Sequence, residues 1–268
     1  MDPELPIAIF DSGVGGLTVF QAISRLLPRE NIIYLADNKR VPYGGLSSET
    51  IVRYTCEAVS FLQAKQAKLI VLGCHTASVS CLNDASFRLF QQNLSIPVVG
   101  MTQGLKQMSN IRRLAVLGTL STIRSGVYEK ILRSQNPGLE VVSIACPLLV
   151  PRIEAGLLAH PETEVLVRSY LQPLQIKPVD AAFLACTHYP LIRSTFQKVL
   201  GENIALLDAA GPTAEAVRDY LQEKNLLNPL AKPKYTFYAT EAPDLFAKRA
   251  CHFLGENGVT PLINLCQI

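Results

Sequence analysis

The chain has 268 residues, 49% of them hydrophobic, with 25 Lys and Arg against 22 Asp and Glu for a net charge of +3. That is enough chain for one large or two ordinary domains with well-filled cores, and no stretch is dense enough in Lys or Arg to track nucleic acid or an anionic membrane. A small-molecule partner, with neither nucleic acid nor membrane, is the expectation.

Short apolar runs rich in β-branched residues fall at positions 6–10, 31–35, 68–72, 96–99, 114–117, 140–144, 181–184 and 204–207, each followed by a longer helical pattern. That rhythm predicts α/β architecture with mainly parallel sheets. A helix over 212–224, a Pro/Asn-rich linker, a strand over 235–239 and a helix over 243–254 complete the chain.

The eight runs form two sets of four that answer to each other in order. Ile7-Ala-Ile-Phe10 matches Leu114-Ala-Val-Leu117 at an offset of 107, and Val41-Pro42 matches Val150-Pro151 at 109. Val71-Leu-Gly-Cys74 matches Phe183-Leu-Ala-Cys186 at 112, and 96–99 matches 204–207 at 108. This predicts a duplicated half and two pseudo-symmetric domains, 1–99 plus 209–268 and 100–208, the tail packing back onto the first.

Seven cysteines, at 56, 74, 81, 146, 186, 251 and 266, show neither an even count nor paired CxxC spacing, so a disulfide framework and a zinc ribbon are disfavoured and a reducing cytoplasm is expected. The acidic start Met1-Asp2-Pro3-Glu4 does not read as an export signal, and no run approaches 18 apolar residues, so no membrane span is expected.

Ligands of parallel sheets bind at the carboxyl ends of strands, where Cys74 and Cys186 both fall. Cys74 is followed by His75-Thr76-Ala77-Ser78 and Cys186 by Thr187-His188-Tyr189-Pro190. A thiol at a helix N-terminus beside an imidazole is expected to have its pKa lowered from about 8.5 toward neutrality, which suits it to act as a base. The other five cysteines read as small core hydrophobes. Two thiols facing one cleft from opposite sides can remove a proton from one face of a carbon and deliver one to the other, which inverts the centre.

The glycine loop Asp11-Ser12-Gly13-Val14-Gly15-Gly16 offers backbone N–H groups to an anion such as a substrate carboxylate. Asp37 follows Gly15 by 22 residues, as in a dinucleotide fold, but the third glycine of that motif would fall at Thr18, and Asp11 would repel a pyrophosphate. Asp11 fits better as a hydrogen-bonding neighbour of Cys74 or a ligand for a substrate ammonium. Val41-Pro42-Tyr43-Gly44-Gly45 reads equally as a plain turn or as a loop over the cleft. Cys74-His75 and Cys186-x-His188 are too tightly spaced, and too poor in further ligands, to predict a metal.

Taken together, 10–18, 40–44, 73–78, Leu117-Gly-Thr119 with Thr122, Ile123 and Ser125, 146–151 with Glu154, and 186–190 resemble glutamate racemases of the aspartate/glutamate racemase superfamily. The resemblance implies two doubly wound α/β domains, an interdomain active site, no pyridoxal phosphate or metal, and a cytoplasmic enzyme that inverts glutamate to supply D-glutamate for peptidoglycan. It implies Cys74 and Cys186 as the acid/base pair, the first acting on the D and the second on the L enantiomer, with Asp11 assisting Cys74 and His188 assisting Cys186. Asp11, Ser12, Pro42, Tyr43, Gly44, His75, Thr76, Thr119, Thr187 and His188 are then the substrate-binding set, with Asp37 and Glu154 in support. Members of the family often dimerise.

Two positions depart from the family pattern. His75 stands where asparagine is usual, and Gly100-Met-Thr-Gln-Gly104 stands where a Glu-Pro-Gly sequence is more common. Three other readings remain open on the sequence: a racemase of aspartate or another amino acid, a one-cysteine decarboxylase or hydrolase on the same scaffold, and a noncatalytic amino-acid-binding regulator.

Overall fold

The structure, a computed structural model, describes residues 1–103, 105, 111–229, 232–254 and 262–268; Gly104, the last residue of the stretch that departs from the family pattern, lies outside them. Strand and helix alternate along the chain. The first half comprises β1 (Ile7–Asp11), α1 (Leu17–Leu26), β2 (Ile32–Ala36), α2 (Ser48–Ala64), β3 (Leu69–Leu72), α3 (His75–Asn83), α4 (Ala85–Gln92) and β4 (Val98–Gly100). The second comprises β5 (Arg113–Gly118), α5 (Leu120–Arg124), α6 (Val127–Gln135), β6 (Glu140–Ala145), α7 (Leu149–Glu154), α8 (Pro161–Ile176), β7 (Ala181–Ala185), α9 (Arg193–Leu200) and β8 (Ala205–Asp208). A tail of α10 (Ala210–Glu223), β9 (Tyr235–Ala239), α11 (Pro243–Leu254) and β10 (Ile263–Leu265) follows.

Every strand expected from the sequence is present within two residues; β10 is the addition. The continuous apolar runs are explained by burial, since every residue of β1, β3 and β7 is enclosed, as in a parallel sheet with helices on both faces.

All pairings are parallel and make two sheets, ordered β10-β9-β2-β1-β3-β4 and β6-β5-β7-β8. The order β2-β1-β3-β4 thus recurs as β6-β5-β7-β8. The ladders recur residue by residue: Ile7 faces Leu69 as Leu114 faces Ala181, and Ile70 faces Val98 as Ala182 faces Leu206. The offsets of 107, 112 and 108 read from the sequence are the offsets of these ladders. One proposed match differs in conformation: Val41 and Pro42, joined by a cis peptide, lie in a loop, whereas Val150 and Pro151 lie in α7.

The tail widens the first sheet, β9 pairing with β2 and β10 with β9, while α10 packs along α1. One apolar core extends from Ile7, Ile9 and Val71 of the first sheet to Leu114, Val116 and Phe183 of the second. Separate cores fill the outer faces, around Ile51, Val59 and Phe87 in one half and Leu171, Tyr189 and Phe196 in the other.

Far from the cleft, a buried ion pair ties four segments together. Lys68, fully enclosed, donates to Glu30 Oε2 at 2.5 Å and to the carbonyls of Pro3 at 2.6 Å and Leu226 at 2.8 Å, and Glu30 Oε1 accepts the Asn228 amide at 2.8 Å. Removing one partner leaves the other charge buried and unpaired. Lys68→Met should therefore lower unfolding stability in urea by about 3–5 kcal/mol, and adding Glu30→Leu should recover at least half of it. An equal loss in the double variant would show that packing, rather than charge, holds the site.

Candidate active site

The carboxyl ends of β1, β3 and β7 converge on one small cavity of about 10 Å³. Ser12 reaches it from the end of β1, Cys74, His75 and Thr76 from the β3–α3 junction, and Pro42, Tyr43 and Gly44 from the loop after β2. Thr119 comes from the end of β5, and Cys186, Thr187 and His188 from the end of β7. The two thiols thus line the same space from equivalent points of the two sheets, each 5% exposed.

Their local settings differ. Cys74 is the N-cap residue of α3, whereas a 3-10 turn, Tyr189–Ile192, separates Cys186 from α9. Ser12 Oγ lies 3.9 Å from Cys74 Sγ, and His188 Nδ1 lies 4.0 Å from Cys186 Sγ. The lowered thiol pKa expected for Cys74 is not found: burial and the nearby Asp11 carboxylate push it up to about 12, overcoming the Ala77 amide and the Ser12 hydroxyl. The helix N-terminus is present, but desolvation is the larger effect.

Asp11, Asp37 and Glu154 stand one layer behind the cavity. Asp11 Oδ1 accepts the Gly13 amide at 2.7 Å and Oδ2 the Thr187 hydroxyl at 3.0 Å. Burial raises its carboxyl to about 6 despite the nearby His188. Asp37 Oδ2 accepts the Tyr43 hydroxyl at 2.5 Å and Arg40 Nε at 2.5 Å, and Oδ1 accepts Thr240 at 2.9 Å, so it holds the Tyr43 loop rather than entering the cavity.

Glu154 joins both halves. Its Oε1 accepts the Val14 amide at 3.0 Å and His188 Nε2 at 2.7 Å, and Oε2 accepts Arg249 of α11 at 3.1 Å. Burial would raise the Glu154 carboxyl, but its bond to His188 and the surrounding donors outweigh that and hold it below the usual range. Burial would likewise depress His188, yet its contacts with Cys186 and Glu154 hold it well above 6.5.

The glycine loop serves the protein's own carboxylates: the Gly13 and Val14 amides, offered in sequence to a substrate anion, are taken by Asp11 and Glu154. Gly15 meets a second demand, because a Cβ there would collide with His188 Nδ1 and Thr187 Oγ1. Thr76 of α3, Thr119 and Thr122 form a hydroxyl triangle across the halves, with Oγ1 distances of 2.9, 3.1 and 3.0 Å.

Two participants escape sequence reasoning: Arg249 braces Glu154 from the tail, and Tyr128 hydrogen-bonds His75. Val150, within the 146–151 stretch that carries the resemblance but not named as a site residue, completes the lining. Nothing local marks Tyr128 or Arg249. Among the described residues no group of three or more His, Cys, Asp and Glu is placed to hold a metal ion, and no helix is long and apolar enough to cross a membrane.

Fold and site together define an α/β protein of two like halves, with a cysteine from each half lining one small cavity. Residues 14–217 match the family model for Asp/Glu/Hydantoin racemase, and the chain belongs to that family. A glutamate racemase of Geobacter metallireducens is 41% identical over 94% of each chain. Among solved structures, a glutamate racemase isoform from Bacillus anthracis aligns at a TM-score of 0.91 with 34% identity, covering 99% of this chain and 98% of that one. The Francisella tularensis glutamate racemase in complex with D-glutamate aligns at 0.88 with 31% identity and the same coverage.

The raised pKa of His188 means that its protonated form stabilises the fold. That contribution is complete below the unfolded value of about 6.5 and is lost as pH rises through the higher folded value. In an NMR titration His188 should remain protonated above pH 6.5, and Glu154→Gln should move its midpoint down and narrow the pH window of stabilisation. An unchanged midpoint in that variant would show that Glu154 is not what holds the proton.

Proposed function

We propose that the chain is a cofactor-independent glutamate racemase that interconverts L- and D-glutamate by proton transfer between Cys74, Cys186 and the substrate Cα, in the cytoplasm, supplying D-glutamate for peptidoglycan. The observation that carries this reading is the pair of buried thiols at register-matched strand ends, lining one cavity from opposite sheets. The glutamate racemases to which the chain is similar over nearly its whole length support the choice of substrate.

The asymmetry around the thiols suits one acid and one base. Burial and Asp11 keep Cys74 protonated, with its pKa pushed up to about 12, so it is the donor in the L-to-D direction. His188, held protonated by Cys186 and Glu154, places a positive charge 4.0 Å from the Cys186 sulfur, the charge a thiolate base needs beside it. Cys186 then takes the Cα proton of L-glutamate while Cys74 gives its own proton to the opposite face. The D-to-L direction exchanges the roles.

The substrate is larger than the 10 Å³ cavity, so admission requires the halves to part. The polar contacts to be broken include Ser121 Oγ to the carbonyls of Gly44 and Leu46, each at 3.0 Å, the threonine triangle, Asp11 to Thr187, Glu154 to Val14 and Arg249, and Tyr128 to His75, beside the apolar core that the two sheets share. Closure then excludes water, which strengthens electrostatic stabilisation of the developing carbanion.

The test is incubation of the metal-free protein with L-glutamate in D₂O, without added cofactor. Early in the reaction the D-glutamate formed should carry deuterium at Cα while the remaining L-glutamate keeps protium, the signature of two separate bases. Cys74→Ala and Cys186→Ala should each reduce racemisation at least about 10³-fold. No inversion by the folded wild type, or full activity in either variant, would overturn the proposal.

A further inference from the structure

His75 is enclosed by rings contributed by the other half of the molecule. Its centroid lies 5.4 Å from Tyr128 of α6 and 5.9 Å from Phe183 of β7, and those two rings lie 5.3 Å apart. Tyr128 Oη hydrogen-bonds His75 Nδ1, the single partner of that hydroxyl among the described residues. Both side chains are 2% exposed, and the imidazole lines the cavity.

A neutral imidazole carries one N–H, and two arrangements satisfy the observed contact. If the phenol donates, Nδ1 accepts and the proton sits on Nε2, leaving only that N–H to be met by a ligand. If Nδ1 donates, the phenol proton and the Nε2 lone pair are both left without a partner among the described residues. Buried polar groups are paired wherever the geometry allows, so the first arrangement is favoured. Burial lowers the His75 pKa to about 3, and burial together with the nearby Cys74 and Cys186 raises that of Tyr128 well above 10, so the ring stays neutral and the phenol keeps its proton to donate.

We propose that Tyr128 is a positioning residue that fixes His75 as its Nε2–H tautomer, so that a neutral imidazole donor, equivalent to a side-chain amide N–H, meets a carboxylate of the anionic substrate. The inference rests on the racemase reading for its substrate. It explains how a titratable ring occupies the position next to Cys74 without bringing a positive charge beside that thiol. Since Tyr128 and His75 belong to different halves, the lock is made where the halves meet.

The test uses the full chain labelled with ¹⁵N-histidine. The four histidines are 75, 160, 188 and 252, and the His75 signals are those missing from His75→Asn. The wild type should show a bare Nδ1 and a protonated Nε2 at neutral pH, and Tyr128→Phe should move His75 toward a mixture of tautomers. In activity assays Tyr128→Phe should raise KM for glutamate about tenfold while kcat changes less than about threefold, the pattern of a lost ground-state hydrogen bond. In the His75→Asn background the same substitution should change KM less than about twofold, because an amide needs no tautomer to be set.

A protonated Nδ1 or an imidazolium in the wild type would overturn the inference, as would an equal KM penalty in both backgrounds, which would mark Tyr128 as mere packing. The tautomer is read without turnover. A wild type that fails to invert glutamate would therefore sink the reaction assignment while the NMR result still decides the role of Tyr128.

Discussion

Desolvation is the constraint on which the rest of this site depends. Asp11, Cys74, His75, Glu154, Cys186 and His188 are all at most 7% exposed around a cavity of about 10 Å³, and an unpaired charge in such surroundings is costly. Each ionisable group therefore either has a partner or gives up its charge. Glu154 and His188 take the first course, as a hydrogen-bonded ion pair braced by Arg249 and the Val14 amide. His75 and Cys74 take the second, one pushed down to about 3 and the other up to about 12. Asp11, raised to about 6 even with Thr187 and the Gly13 amide bonded to it, lies close to the boundary.

This division makes two like halves chemically unlike. The backbone ladders that set Cys74 against Cys186 repeat one another residue for residue, so the scaffold alone would place two equivalent thiols. The difference comes from what each half puts beside its sulfur: a serine hydroxyl and a carboxylate near Cys74, an imidazole carrying a positive charge near Cys186. The proposed two-thiol racemisation must run in both directions, and at the start of a turnover it needs one thiol to hold a proton and the other to lack one. Fixed neighbours of unequal charge bias which one.

Much of the architecture was legible in the chain because buried parallel strands must be apolar on both faces, and their runs repeat in order with offsets that are the ladder offsets. β10 was not, because Ile263–Leu265 is three residues long and too short to show a period. Of the site, residues next to strand ends were legible: Ser12, Cys74, Thr76, Thr119, Cys186, Thr187 and His188 all reach the cavity. What failed were inferences that depend on three-dimensional surroundings. A helix N-terminus beside Cys74 suggested an acidic thiol, but how completely it would be buried beside Asp11 is not written in its neighbours. The glycine loop suggested an anion site, and the anions that occupy its amides come from Asp11 and, in the other half, Glu154. Tyr128 and Arg249 act only through residues distant in sequence, His75 and Glu154, and carry no local signal of it.

The same hydrogen bonds serve two purposes, and this connects admission of substrate to its chemistry. Asp11–Thr187, Val14–Glu154, Thr76–Thr119 and Tyr128–His75 each join one half to the other. They also set charge or hydrogen-bonding capacity at groups beside the thiols: the Asp11 carboxylate, the Glu154 partner of His188, the Thr76 hydroxyl and the His75 tautomer. On the proposed reaction, parting the halves to admit glutamate would loosen all four, and water would then solvate the exposed groups and relax their pKa values toward ordinary ones. Closure over the substrate would remove that water and remake the bonds together. The perturbed protonation states belong to the cleft as it stands in this structure, and the proposed proton transfers would be confined to the interval in which solvent is excluded.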